Sequence, residues 1–446
     1  MAADAEAPPS TRGERIGWYF YDWANSAFST TVVTVFLGPY LGSIADNAAD
    51  ANGRVHPFGV PVAAGSLFAY TVSLSVVLQV LVLPVVGAIA DRSPHKKQQL
   101  ALTAYIGAGA TTALVFLTGD RYLLGALLFL VANIAFGASV VVYNSFLPQI
   151  AGPDDRDRVS SIGWAVGYIG GGLLLALNVA AVSGAEAFGV SSGEIARWSI
   201  VSAGVWWAAF TTIPLRQLHD RPAVAGAASG SALLDGFRQL GRTLRELKGF
   251  PLTLLFLIAY VIYNDGIQTV IALASVYADK ELRLPQSVQV QTILLVQLLA
   301  FFGALLLGWI ARRFGPWKTV LGSLVVWAVV LAVAYTLPAG QPIPFVLLGA
   351  LIGLVLGGSQ ALSRSLFSQL IPQGSEAQYF GIYEISDKGT SWLGPLLFGV
   401  TFQVTGSYRT AIISLIAFFV IGFVALAALP LRNAILAAGN TPPRVL

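Results

Sequence analysis

Long apolar runs broken by short polar segments set the pattern of this chain. A helix needs roughly 20 apolar residues to cross the hydrocarbon core. Twelve runs meet that length: residues 17–45, 62–90, 98–118, 122–147, 160–182, 197–216, 251–278, 289–311, 318–337, 343–370, 379–404 and 408–431. The expected fold class is therefore an all-α integral membrane protein with twelve transmembrane helices. A polar stretch separates the first six from the last six. The expected division is a cytoplasmic tail (1–16), a six-helix half (17–216), a cytoplasmic linker (217–250), a second six-helix half (251–431) and a cytoplasmic tail (432–446).

One stretch breaks the plain apolar pattern. Residues 18–34, WYFYDWANSAFSTTVVT, carry Asp22, Asn25, Ser26, Ser29, Thr30, Thr31 and Thr34 inside the first run. A helix that only anchors in lipid would not carry an acid and an amide, because unpartnered polar groups are costly there. A helix lining a polar cavity would. Trp18, Tyr19, Tyr21 and Trp23 also fit an interfacial aromatic belt, but a belt does not account for Asn25 to Thr31.

Composition agrees with the pattern. The chain is 56% hydrophobic and 11% charged, against about 25% charged in soluble domains. It has no cysteine, so disulfides, thiolate metal sites and cysteine nucleophiles are excluded. Its three histidines fall in expected loops and no metal-ligand spacing is visible. Metal, cofactor and enzyme readings find no support. The first fifteen residues are polar and expected to be disordered. The run after them is too long for a signal-peptide core and lacks a cleavage site.

Charge sets the orientation. With the N-terminus inside, eighteen of the 26 Lys and Arg fall on inner segments, six on outer ones and two within spans. Positive residues favour the cytoplasmic side, so both termini are expected there, and the net charge of +4 is no sign of nucleic-acid binding. An Arg-rich, Lys-poor chain without long loops suits a bacterial plasma (inner) membrane; in a eukaryote it would suit a vacuolar membrane. In the linker, Leu233, Phe237, Leu240, Leu244 and Leu247 form a helical stripe, with Arg238, Arg242, Arg245 and Lys248 off it. That pattern reads as an amphipathic helix on anionic lipid, or as a solvated linker helix.

The two halves repeat. SFLPQI (145–150) closes the fourth run and SLFSQLIP (365–372) closes the tenth, with Ser145 and Ser365 220 residues apart. GAIADRSPHKK (87–97) and GWIARRFGPWK (308–318) follow the second and eighth runs at an offset of 221. Parallel duplicated halves are one known transporter plan, with the substrate site between them near the midplane.

Gly87, Asp91, Arg92 and Lys97 match the G-x-x-x-D-R-x-G-x-x-(R/K) loop of the major facilitator superfamily, with Pro94 in place of the second glycine. The copy keeps Gly308, Gly315 and Lys318 but has Arg312 where the acid would stand. With the duplication and the span count, the chain resembles that superfamily along nearly its whole length. The opening YDWANSAFSTTV (21–32) more narrowly resembles the branch of the autophagy-linked vacuolar amino-acid effluxers and their bacterial relatives. The resemblance implies the major facilitator fold, with two pseudo-symmetric six-helix halves and a cavity lined by runs one, four, seven and ten. It also implies that Asp91 meets the start of run eleven and stabilises one access state.

Six ionisable residues lie within the runs: Asp22, Asp265, Arg364, Glu384, Asp387 and Lys388. Each is a functional hypothesis by default. Four acids face two bases, so two acids remain to be protonated, hydrated or neutralised by a cation. Asp22, Arg364, Glu384, Asp387 and Lys388 form a band in the cytoplasmic half and read as a gate. A permanent buried ion network or a carboxylate-binding Arg364 are the alternatives. Asp265 lies about 20 Å from the inner end of its helix at 1.5 Å per residue, near the midplane. It reads as a proton-coupling acid or the partner of a substrate ammonium; a cap or hydrogen bond to a neighbouring helix is the other role.

Cavity candidates are Asp22, Asn25, Ser29, Tyr143, Asn144, Tyr263, Asn264, Gln268, Gln360 and Arg364, with Trp164, Tyr168 and Tyr383 as aromatic walls. For each alone, an interhelical hydrogen bond is the simpler role. Gly163, Gly167 and 170–172 read as close helix-packing surfaces, since no phosphate-loop pattern occurs. The function expected is secondary active transport of a small polar solute, coupled to protons, by a monomer that alternates access. Amino acids and efflux are suggested by the resemblance alone. A drug or lipid exporter of the same fold, and a non-transporting receptor or scaffold, remain as alternatives.

Overall fold

Backbone N–H and C=O groups cannot stay unpaired in lipid, so a chain this apolar must close its hydrogen bonds within helices. The structure, a computed structural model, does so. It describes residues 11–184, 191–221, 245, 247–388 and 393–446, apart from the side chains of residues 183, 184, 192, 275, 286, 287, 290 and 385–388. Among these, eleven helices are long and apolar enough to cross a membrane. Spans one to six are Arg12–Asn47, Ala64–Arg92, Lys96–Phe116, Tyr122–Ile150, Arg156–Val182 and Gly193–Gln217. Spans seven to ten are Pro251–Ala274, Gln291–Phe314, Pro316–Thr336 and Pro342–Gln369, and span twelve is Tyr408–Ala427. The expected run 379–404 is occupied by two helices, Glu376–Lys388 and Leu393–Thr405. They are called span eleven.

Several boundaries depart from the sequence expectation, each for a local reason. Span one begins at Arg12, inside the stretch expected to be a disordered tail. Thr11 accepts from the Glu14 amide while the Glu14 carboxylate accepts from the Thr11 amide, a capping box that starts the helix early. Span two starts later than residue 62. Residues 54–55 and 62–63 pair as a small antiparallel hairpin, with Arg54 opposite Ala63. The last helix, Leu431–Ala437, lies in the expected C-terminal tail and follows Pro430. The amphipathic stripe of the linker falls largely on 222–244 and 246, outside the described residues.

Span one contains a second departure. Residues Phe28–Phe36 form a π-helix between two α-helical segments. The Thr34 hydroxyl donates to the Ser29 carbonyl at 2.8 Å, five residues back, as the wider turn allows. Such turns inside α-helices are frequent at functional sites, and this one falls in the polar stretch of the first run.

Buried apolar side chains gather into two cores. One runs from Trp18 to Leu218 and includes Ala377 of span eleven; the other runs from Leu247 to Ile435. The halves meet where span two packs on Glu376–Lys388 and span five packs on span eight. Glycine makes these crossings possible. A Cβ on Gly87 would lie 2.4 Å from the Ala377 carbonyl oxygen, and one on Gly381 would lie 2.9 Å from the Leu83 carbonyl oxygen. In the other crossing, a Cβ on Gly308 would lie 2.5 Å from the Ser161 hydroxyl. Small residues let backbones approach in this way where lipid offers no hydrophobic drive.

Replacing Gly87 by Ala should overpack the span two–span eleven crossing and destabilise the protein by about 1–3 kcal/mol. Gly109→Ala meets nothing within 4 Å and should not destabilise. Thermal unfolding of both variants in detergent checks this; equal melting of the two would contradict it.

Candidate functional site

The site forms around one guanidinium. Arg364 lies near the C-terminal end of span ten, where the sequence SQALSRSLFSQ is buried on every side. Its five N–H donors must all be considered once it leaves water. Nε donates to the Ser160 hydroxyl and Nη2 to the Ser160 carbonyl, both at 2.9 Å. Nη1 and Nη2 donate to one oxygen of Asp22 at 3.3 and 3.4 Å, and Nη1 also approaches the Asn144 amide oxygen at 3.4 Å. The guanidinium carbon lies 4.8 Å from the Trp18 ring centroid, 5.4 Å from Trp164 and 5.8 Å from Tyr143. Asp22 and Trp18 come from span one, Tyr143 and Asn144 from span four, Ser160 and Trp164 from span five. The cation belongs to the second half and these partners to the first.

The surrounding residues hold that geometry. Tyr143 donates its hydroxyl to the same Asp22 oxygen at 2.7 Å. Its ring stacks on Trp18 at 4.5 Å, and the Trp18 indole donates to the Tyr143 carbonyl at 3.0 Å. Asn144 donates to the Glu384 carboxylate at 3.0 Å, a second link between halves. Gly163 leaves the space: a Cβ there would lie 2.6 Å from Trp18, 2.7 Å from Asp22 and 3.2 Å from Arg364. Asn144 and Arg364 stand 220 residues apart, the offset of the internal repeat. Equivalent positions of the two halves thus face each other across their junction.

The other expected residues fall into place around this centre. Gln360 accepts from the Tyr168 hydroxyl at 2.9 Å, one more bond between halves. The Tyr263 and Ser363 hydroxyls share a hydrogen bond at 2.6 Å. Tyr383 stacks on Tyr260 at 4.3 Å. Asn25 and Asn264 are buried, Gln268 is half-buried, and Ser29 bonds back to the Ser26 carbonyl. Asp265 is nearly inaccessible; one of its oxygens accepts from the Gly394 amide at 2.7 Å, at the start of Leu393–Thr405. The side chains of Asp387 and Lys388 lie outside the described residues.

Trp18 and Tyr21 are fully buried, so the interfacial-belt reading fails for them. They are core and cage residues. The acid of the loop motif has partners in both halves. Asp91 accepts from the Ala377 and Gln378 amides at 2.9 and 2.8 Å, at the start of span eleven. The Lys96 ammonium lies 3.1 Å from it. Lys97 instead gives its backbone amide to Asp220. In the second copy Gly315 joins spans eight and nine at φ 91, a conformation that favours glycine, and Lys318 is exposed.

Some residues of the junction were missed in the sequence. Arg156 and Asp157 stood out in no motif, yet both are buried. Asp157 accepts from the Ser365 hydroxyl at 2.5 Å, and Arg156 donates to the Ser368 carbonyl at 2.9 Å. Ser160 gave no signal, although its own hydroxyl donates to the Ala361 carbonyl at 2.7 Å. The repeat offset was the usable clue: Asp157 stands 220 residues before Ala377, which the loop-motif acid holds.

A family described as "Vacuole effluxer Atg22 like" matches residues 10–439. An uncharacterised MFS-type transporter, YxiO of Bacillus subtilis, is 31% identical over 93% of this chain and 94% of its own. Autophagy-related protein 22 of Gibberella zeae is 27% identical over 91% of this chain and 77% of its own. Among solved structures, the proton:xylose symporter XylE matches with a TM-score of 0.66 at 12% identity, over 93% of this chain and 94% of that one. A bacterial homologue of ferroportin in an outward-facing state matches with a TM-score of 0.65 at 13% identity, over 93% and 98%.

Truncating one member of a buried ion pair leaves the other uncompensated, a loss of about 3–5 kcal/mol. Arg364→Met should therefore destabilise strongly in detergent unfolding. Adding Asp22→Asn should recover part of that loss, because the stranded carboxylate is gone. Strictly additive losses in the double variant would show that the two groups do not act as a pair.

Proposed function

This chain belongs to the vacuole effluxer Atg22-like family of the major facilitator superfamily, and from that premise we propose that it carries a small polar solute by alternating access, driven by protons. Amino acids are the solute class we favour. The observation that carries the reading is the placement of Arg364. A guanidinium buried at the junction of two halves cannot be stripped of partners when the halves part. A solute carboxylate can replace Asp22 on its bidentate face, and Asp22 is then available to the solute's ammonium. Binding of a zwitterion would in this way loosen the contact that keeps the halves together.

The same band serves as the gate. Asp22, Arg364 and Glu384 close the end of the bundle that carries both termini, with Asp387 and Lys388 as further members. Asp91 on the start of span eleven steadies that closed arrangement, since a carboxylate is favoured at a helix N-terminus. By the bias of Lys and Arg this end is cytoplasmic. The host membrane is a bacterial plasma membrane, or a vacuolar membrane in a eukaryote. The protein works as a monomer, and its linker, 217–250, lies on anionic lipid.

Asp265 is the acid we assign to proton coupling. Its bonded oxygen faces a backbone amide and not a cation, so its charge is not neutralised by an ion pair there.

Purified protein in proteoliposomes, given a panel of amino acids, peptides, sugars and cationic drugs, tests the reading. An amino acid should evoke proton movement in the wild type and none in Asp265→Asn, while exchange of the labelled amino acid survives. Undiminished proton movement in Asp265→Asn would overturn the assignment of that acid, and response to cationic drugs alone would overturn the solute class.

A further inference from the structure

Residues 440–446 leave the last helix and cross from one half of the molecule to the other. Leu431–Ala437 is followed by Gly439 at φ 76, the left-handed turn that ends a helix. The Asn440 amide closes that turn on the Ile435 carbonyl at 3.1 Å. The Asn440 side chain then donates to the Gln369 and Ile371 carbonyls at 2.9 and 2.7 Å. Both lie at the C-terminal end of span ten, where a helix leaves carbonyls without an internal partner. Pro442 and Pro443 follow. Neither carries an N–H and each has its φ fixed, so the segment is stiff; Pro443 is buried. The Arg444 amide donates to the Asp154 carboxylate at 2.7 Å. Leu446 lies against Gly315, between spans eight and nine, and packs on the core of the second half.

Asp154 belongs to the first half, in the turn between spans four and five. Arg15 of span one holds that turn, donating to the Ile150 carbonyl and to Asp155, both at 3.2 Å. The segment is thus fixed to the second half at span ten and at Gly315, and to the first half between them. Its contact with the first half differs from those beneath it. Asp157 and Arg156 of span five, which bond Ser365 and Ser368 of span ten, are buried. The Arg444 side chain is 91% exposed and that of Asp154 55%. At 3.6 Å and in water the Arg444 guanidinium adds little; the bond from its backbone amide to the carboxylate carries the contact.

We propose that residues 440–446 are a strap that holds the two halves together, with Asn440 as its anchor and Asp154 as its catch. The inference rests on the reading that the halves part at the end where Arg364 lies. Span five cannot leave span ten without breaking the Arg444–Asp154 bond or drawing Asn440 off the span ten carbonyls. The strap therefore lowers the share of molecules in which the junction is open. Salt screens exposed charges more than buried ones, so the catch is the part of the junction that ionic strength weakens.

The test needs no solute. The chain has no cysteine, so Ser365→Cys places one thiol against span five, fully buried, where it labels when spans five and ten separate. The readout is its rate of reaction with a maleimide in the purified protein. Truncation after Gly439 should raise that rate roughly fivefold, the worth of one exposed hydrogen bond. Asp154→Ala should raise it by a similar factor in the untruncated chain and add nothing in the truncated one, because catch and strap act as a pair. Ser323→Cys, buried within the second half, should label at the same rate with and without the strap. If the truncated chain does not fold, Asn440→Ala takes its place with the same expectations. The strap is overturned by an unchanged Ser365→Cys rate after truncation. Equal acceleration at Ser323→Cys, or a further gain from Asp154→Ala in the truncated chain, overturns it too. Arg364→Ala separates the two readings. If it speeds labelling of Ser365→Cys and truncation does not, the junction parts there and the strap is overturned. If truncation speeds labelling and Arg364→Ala does not, the strap stands and the reading of Arg364 as a gate fails.

Discussion

A guanidinium taken out of water must find its hydrogen bonds in the protein, and Arg364 finds them in the opposite half of the molecule. Ser160 supplies two acceptors, Asp22 a third and Asn144 a fourth. Trp18, Tyr143 and Trp164 cover its faces. A cation stacked on aromatic rings gains further attraction when desolvated, up to about 2 kcal/mol. The contact between the halves at this point therefore depends on partners drawn from both of them. The desolvation of Arg364 makes that contact costly to break unless another group takes the place of Asp22.

Two carboxylates hold span eleven at two helix N-termini. Asp91, from the first half, bonds the amides of Ala377 and Gln378. Asp265, from the second half, bonds the amide of Gly394. Each acid sits where the helix dipole favours negative charge, and each approach is kept close by a glycine. Span eleven is thus joined to span two at one N-terminus and to span seven at the other. Loss of charge on either acid weakens one joint and leaves the other.

Most of this fold was legible in the sequence, because lipid forbids most alternatives. Apolar length located the spans and the repeats at 145 and 365 disclosed the two halves. What apolar length could not report were local devices that override it. The Thr11–Glu14 capping box drew the first helix into a polar tail. The hairpin at residues 54–55 and 62–63 replaced the start of a helix. At the site, the intramembrane charges pointed to Asp22, Arg364 and Glu384, which the fold brings together. Ser160, Arg156, Asp157 and Lys96 were not legible. A serine and three charges at the ends of the spans look the same in sequence whether they face water or a neighbouring helix, and only the packing of spans five and ten, and of spans two and eleven, decides it.

The most direct test is a distance measured between the halves at the end where Arg364 lies. The chain has no cysteine, so Arg158→Cys and Gln373→Cys, exposed positions in the two halves at that end, can carry one spin label each. Double electron–electron resonance should show a short-distance population in this protein and a shift to longer distances when Arg364→Ala is added. A distance distribution that does not change with Arg364→Ala would contradict the claim that this guanidinium holds the halves together.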